Sequence, residues 1–192
     1  MRHLEDKTVV VGVTGSIAAV EVIKLVRALR RNGADVHAVM SRAACRIIHP
    51  HALEYATQNR VITKITGMVE HVKFCGTGGC ANALLVAPCT ANTISKIANG
   101  IDDTPVTTFA ITAIGSGTPV LVAPAMHEAM FNHPIVSKNL AKLRELVHII
   151  EPCIEEDRAK IAESEEIVGA VARAIKKRSS RQENSCYKWR NC

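Results

Sequence analysis

Aromatic side chains are scarce in this chain of 192 residues: 3% of the total, with one Trp, two Tyr and three Phe. Its core must therefore be built from Val, Ile, Leu and Ala, the texture of a parallel sheet covered by helices. Long apolar runs are missing too. None approaches the ~20 residues that span a bilayer, and Met1-Arg-His-Leu-Glu-Asp-Lys7 has no signal-peptide core. A soluble, cytoplasmic protein is expected. Two familiar nucleotide signatures are also absent. Gly15-Ser16 is followed by Ile17-Ala18-Ala19, which fits neither GxGxxG nor the Walker pattern with its Lys.

The formal charge of +6 is not spread over the chain. Residues 176–192 hold six basic side chains against Glu183, leaving the preceding 175 residues with 18 basic and 17 acidic. A basic nucleic-acid face on the folded part is not indicated. Seven cysteines without a secretory signal read as thiols of a reducing compartment. Cys75-Gly-Thr-Gly-Gly-Cys80 has four intervening residues where zinc sites start from two, so no metal is expected. A glycine-rich loop at a subunit contact is the preferred reading.

What is present is a repeating alternation. Apolar runs at Thr8–Val13, Asp35–Met40, Ala83–Ala87, Pro119–Ala123 and Val147–Glu151 read as strands. Helical patterns fall between and after them at Ile17–Arg31, roughly Ala43–Thr57, Thr90–Asn99, Pro105–Ile114, Pro134–Leu146 and Glu163–Lys177. Such βαβα order predicts right-handed crossovers and an α/β parallel sheet with helices on both faces. Ligands of these sheets gather at the carboxyl ends of strands. Here those ends read Thr14-Gly-Ser16, Ser41, Pro88-Cys-Thr-Ala-Asn-Thr93 and Pro124-Ala-Met-His127. Free N–H groups at the start of the first helix, with Ser16 as cap, suit a mononucleotide phosphate. An ordinary capped helix reads equally well on that segment alone.

Taken together, Gly15-Ser16, Pro88-Cys-Thr-Ala-Asn-Thr93, Lys96-Ile-Ala98-Asn-Gly100-Ile-Asp-Asp103 and Pro124-Ala-Met-His127-Glu-Ala-Met130 carry a resemblance. From about Lys7 to Ala174 the chain resembles the homo-oligomeric FMN-containing cysteine decarboxylases, in particular the branch acting on phosphopantothenoylcysteine in coenzyme A biosynthesis. The resemblance implies a flavodoxin-like or Rossmann-like three-layer sandwich. It also implies trimers with FMN at subunit interfaces, and often dodecamers. FMN phosphate would lie near Gly15, Ser16 and Ser41. Thr90, Asn92 and Thr107 would contact the ribityl chain, the flavin or the substrate carboxylate, and Met126 and Met130 would pack near the flavin. In the implied reaction FMN oxidises the cysteinyl thiol to a thioaldehyde, carbon dioxide leaves, and the reduced flavin returns the electrons to give phosphopantetheine.

His71 aligns with the family's active-site histidine, a base suited to taking a thiol proton near neutral pH. His127 stands where the family commonly has Asn holding the substrate carboxylate, and its ring can donate to the same group. Cys153 is the candidate acid of the substrate flap, although its spacing departs from the family's Ala-Cys-Gly and a buried structural thiol is the competing reading. Arg158 and Lys160 are readable either as ligands of a substrate phosphate or as solvated charges. Rival functions are an FMN-dependent oxidoreductase of the dihydromethanopterin reductase type and a non-catalytic flavin-binding subunit.

Residues 1–177 thus read as one FMN-binding domain. Residues 178–192 lose all periodicity and are expected to be a disordered basic tail. Read one base forward, codons for Tyr187 to Cys192 can encode Thr-Ser-Gly-Ala-Thr, similar to the start of the synthetase domain fused to many family members. On that hypothesis the tail is a frame-shifted remnant, and a gene lacking a synthetase-like frame downstream would sink it.

Overall fold

The computed structural model describes residues 3–155 and 158–189. Its main sheet takes strands β1 (Thr8–Val13), β2 (Asp35–Met40), β3 (Ala83–Cys89), β4 (Val120–Pro124) and β6 (His148–Ile149). All pair in parallel, in the order β2-β1-β3-β4-β6. The chain runs outward from β1 to β2 and then returns past β1 to β3. A crevice opens where the order reverses, between the ends of β1 and β3.

Period-two alternation produces the layers. Val9, Val11 and Val13 of β1 join Leu85, Ala87, Leu121 and Ala123 in one core cluster. Val10 joins Leu84, Val86, Val120 and Val122 in the other. Successive strand residues point to opposite faces, so each strand feeds both cores and needs a helix layer on each side. Helices α1 (Val22–Arg31), α2 (Pro50–Thr57) and α8 (Ser164–Trp189) cover the first face. Helices α3 (Glu70–Cys75), α4 (Ala91–Ala98), α5 (Pro105–Ser116) and α7 (Pro134–Arg144) cover the second. Gly12 lets α5 sit directly on β1, since a Cβ there would meet a Val106 methyl at 2.9 Å. The three-layer α/β architecture expected from the sequence is the one observed.

The differences are local. The long helix expected over residues 43–57 is a 3-10 turn at Ala44–Arg46 followed by α2. Pro50 lacks an N–H and cannot continue the first turn, but suits the opening position of a new helix capped by His49. Short elements escaped the periodicity altogether, among them the four-residue helix α6 (Glu128–Phe131). α3 has only six residues, and a three-stranded antiparallel sheet joins β5 (Met126–His127) to β8 (Arg158–Lys160) and β7 (Cys153–Glu155). Strands of two or three residues carry too few alternations to register. Where the sequence led to a disordered tail after Lys177, the α8 backbone is helical to Trp189. Arg, Gln, Glu and Lys propagate a helix readily once packed turns have nucleated it. Residues 190–192 of that tail lie outside the described residues.

Candidate active site

Crossover connections leave every β-strand end at one edge of the sheet, and there the hydroxylated residues converge. Thr14, at the end of β1 and 1% exposed, is the tie. Its Oγ1 donates to the Pro88 carbonyl at 2.7 Å and accepts from the Thr90 N–H at 3.1 Å, joining the ends of β1 and β3. Thr14→Val would strand a buried carbonyl and a partly buried N–H. A loss of about 1–3 kcal/mol is expected, to be read from urea unfolding.

Around this tie lies a cleft of about 600 Å³ lined by Gly15, Ser16, Ser41, Thr90, Asn92 and Met126, together with Arg42, Arg46, Thr104 and Met130. Among the described residues no acid lines it, while two guanidinium groups do. Ser16 caps the following turn by accepting from the Ala18 N–H, and the Ser41 hydroxyl accepts from Ala44 N–H. A cleft edged by capped turns, hydroxyls and arginines is built for an anion attached to a polyol. Gly15 is required by space: a Cβ on it would lie 2.5 Å from the Cβ of Ala43.

A second chamber of about 650 Å³ shares Ser16, Ala125 and Met126 with the first. It is bounded by Lys160–Ser164 and by Ile17, Val20 and Lys24, and His127 is among the residues that line it. Its charges are mixed, Lys24 and Lys160 standing with Glu21 and Glu163. Both volumes lie in the roughly 300–1,000 Å³ range of small-molecule sites.

Six of the seven sequence-predicted binding residues therefore meet in one cleft. Thr107 does not line it. It is fully buried in a reciprocal capping box with Thr104, and Thr104 is the residue that reaches the cleft. Lys96 explains the long motif after α4 begins: its Nζ donates to both Asp103 carboxylate oxygens, at 2.9 and 2.7 Å, folding residues 99–103 back ahead of Thr104. Arg42 and Arg46 went unrecognised because a strand-end serine followed by scattered arginines has no fixed spacing.

Cys153 is exposed on β7 and lines neither chamber, so the buried structural thiol weighed from sequence is not what is found. By contrast, Cys89 is buried in the core, and Cys75 is buried with its thiol pushed up to about 12 by desolvation. Among the described residues, no group of His, Cys, Asp or Glu could hold a metal ion. Nor is any helix there long and apolar enough to cross a membrane.

His71 sits on α3 and lines neither chamber of its own chain. Its ring meets Phe109 edge-on, centroids 6.4 Å apart and planes at 65°. Its Nδ1 is buried with no protein hydrogen-bond partner. Just before it, Val69 adopts φ 46° and ψ 51°, a left-handed conformation costing of order 1–3 kcal/mol for such a residue. A clasp spans this turn. Thr66 donates to the Glu70 carboxylate through both its hydroxyl and its N–H, and the hydroxyl oxygen accepts from Met68 N–H. The Thr66 hydroxyl, then its N–H, hold the Glu70 carboxyl down to about 2. The charged clasp is thus intact above the ordinary carboxylate range and is lost only as pH falls through about 2.

Comparisons place this geometry in context. The chain is 55% identical over 180 residues to the coenzyme A biosynthesis bifunctional protein CoaBC of Thermococcus kodakarensis, covering 93% of this chain and 44% of that protein. It is 42% identical over 174 residues to the CoaBC of Methanocaldococcus jannaschii, covering 90% and 42%. The chain thus spans less than half the length of the curated relatives it matches. A solved PPC decarboxylase variant complexed with pantothenoylaminoethenethiol superposes with TM-score 0.73 at 28% identity, over 86% of this chain and 96% of that one. The FMN-dependent cysteine decarboxylase SpaF superposes with TM-score 0.78 at 29% identity, over 91% and 98%. The match to the Flavoprotein family covers residues 1–176, and the chain belongs to that family.

Proposed function

We propose that this protein is an FMN-dependent carboxy-lyase that converts phosphopantothenoylcysteine to phosphopantetheine in coenzyme A biosynthesis, a cytoplasmic reaction. The observation that carries the reading is the cleft at the β1–β3 crevice, with its Gly15 cradle, hydroxyl lining and two arginines. Its donors fit FMN: Ser16, Ser41 and the arginines meet the phosphate, and Thr90, Asn92 and Thr104 meet the ribityl hydroxyls. Bound there, FMN supplies a reversible two-electron sink for the thiol-bearing carbon of the substrate. The adjoining chamber takes the substrate, and the shared wall of Ser16, Ala125 and Met126 sets the two side by side.

In this reading His127 donates a hydrogen bond to the substrate carboxylate until carbon dioxide leaves, and His71 takes the thiol proton. Because His71 lines neither chamber of its own chain, it serves the site of a second copy in a homo-oligomer, a trimer or an assembly of trimers. Met68 and Val72, exposed on either side of it, are apolar surface for that contact. Cys153, on β7 beside β8, is the acid that would supply a proton to the carbon from which carbon dioxide has left, while the electron pair held by the flavin goes back to the thiol-bearing carbon.

Purified protein is expected to be yellow, to release FMN on heating and to liberate carbon dioxide from phosphopantothenoylcysteine with no net flavin reduction. Colourless protein that cannot be reconstituted with FMN overturns the proposal. His127→Asn is expected to retain activity within about tenfold, since an amide also donates to a carboxylate and one hydrogen bond is exchanged for another. Steady-state carbon dioxide release checks it.

A further inference from the structure

A base that works through one ring nitrogen is normally aimed by a hydrogen bond to the other. Within its own chain His71 lacks that device, because its Nδ1 is buried with no hydrogen-bond partner among the described residues and an apolar ring, Phe109, stands against it. Its aim must come from the backbone that carries it. That backbone is held in an unusual way. Among the described residues Val69 is the only β-branched one with φ in the left-handed region, and it lies two residues before His71 at the start of α3. Relaxing Val69 to an ordinary conformation would swing α3 and the imidazole with it. The Thr66–Glu70 clasp spans this residue from both sides, through three hydrogen bonds converging on Thr66.

We infer that Glu70 and Thr66 are positioning residues, a clasp that holds Val69 in its left-handed conformation and thereby aims the His71 ring. This rests on the proposed role of His71 as base, and it assigns Glu70 no contact with substrate. Glu70 is fully charged in the working pH range, and Lys73 is the nearby cation on the same helix that favours the charge. Its carboxylate is engaged by Thr66, so its effect is steric and local.

The mechanism makes an unusual demand on a double variant. Glu70→Ala opens the clasp, lets Val69 relax and misdirects His71. Val69→Gly removes the strain, because glycine occupies the left-handed region without a clasp to hold it there. In FMN-loaded protein, Glu70→Ala should lower kcat about 100-fold, the size of a misplacement of roughly 1 Å, with KM little changed. Adding Val69→Gly should return kcat to within about fivefold of wild type, whereas an electrostatic role for Glu70 admits no such rescue. Histidine-labelled NMR gives the second readout: the His71 ring signals should shift in Glu70→Ala and in Thr66→Val, and should return in Val69→Gly/Glu70→Ala. Unchanged kcat and ring signals in Glu70→Ala overturn the inference, as does a loss that Val69→Gly fails to repair. The ring signals carry the test even if the wild-type protein releases no carbon dioxide. That outcome removes the proposed activity and leaves the clasp standing.

Discussion

His71→Asn should bind FMN normally, keep its oligomeric state and lose carbon dioxide release by about 10²–10⁴-fold, the ordinary worth of a general base. Asn fills less space beside Phe109 and has no proton acceptor of suitable basicity. Flavin absorbance is recorded first, because a variant that has shed its cofactor says nothing about the base. That His71 lines neither chamber of its own chain adds a sharper test. Mixed with a variant defective only in the cleft, His71→Asn should recover activity, since a hybrid oligomer pairs an intact cleft with an intact histidine from the neighbour. With random mixing about a quarter of the sites are competent. Mixtures as inactive as their components would place the histidine and the cleft it serves on one chain.

Gly15→Ala is the natural cleft-defective partner. The added Cβ would lie 2.5 Å from that of Ala43, and neither a β-carbon nor its backbone can swing aside. The Gly15–Ser16 turn must move away from Ser41 and the arginines, so on the proposed binding mode FMN affinity should fall by at least about 100-fold, the loss of two charge-assisted hydrogen bonds. Fluorescence titration with FMN measures this. Ala43→Gly in the same chain removes the opposing β-carbon and should restore most of the affinity. A Gly15→Ala protein that titrates like wild type would show that the turn is not where the phosphate is held.

Legibility in the sequence followed length and periodicity. β1, β2 and β3 are six or seven residues long and dense in Val, Ala and Leu, enough for alternation and β-branching to announce them. Hydroxylated strand ends likewise marked most of the cleft, because topology alone brings carboxyl ends together. That Thr107 is buried beneath the cleft could not be read off, because sequence shows the residue type and not the rotation of its helix. Thr104 and Thr107 answer each other across one helical turn, and only the first faces outward. The β5–β8–β7 sheet was hidden for another reason. Its strands are too short to carry a pattern, and pairing Met126 with Ala159 requires knowing that residues 33 apart meet. His71 was found by alignment with a family pattern; the left-handed Val69 and the clasp around it leave no trace that composition or spacing reveals.

The Thr14 hydroxyl joins Pro88 and Thr90 across sequence separations of 74 and 76 residues. No fragment ending before β3 therefore contains both halves of the cleft, however well its first strand and helix form. Closure of a loop that long is entropically late, and parallel pairing across it is slow. A cofactor meeting the growing or refolding chain finds nothing to hold until β3 has docked beside β1. It acts as a clamp on the finished fold and not as a template for it. Free FMN should then slow unfolding while leaving the refolding rate unchanged.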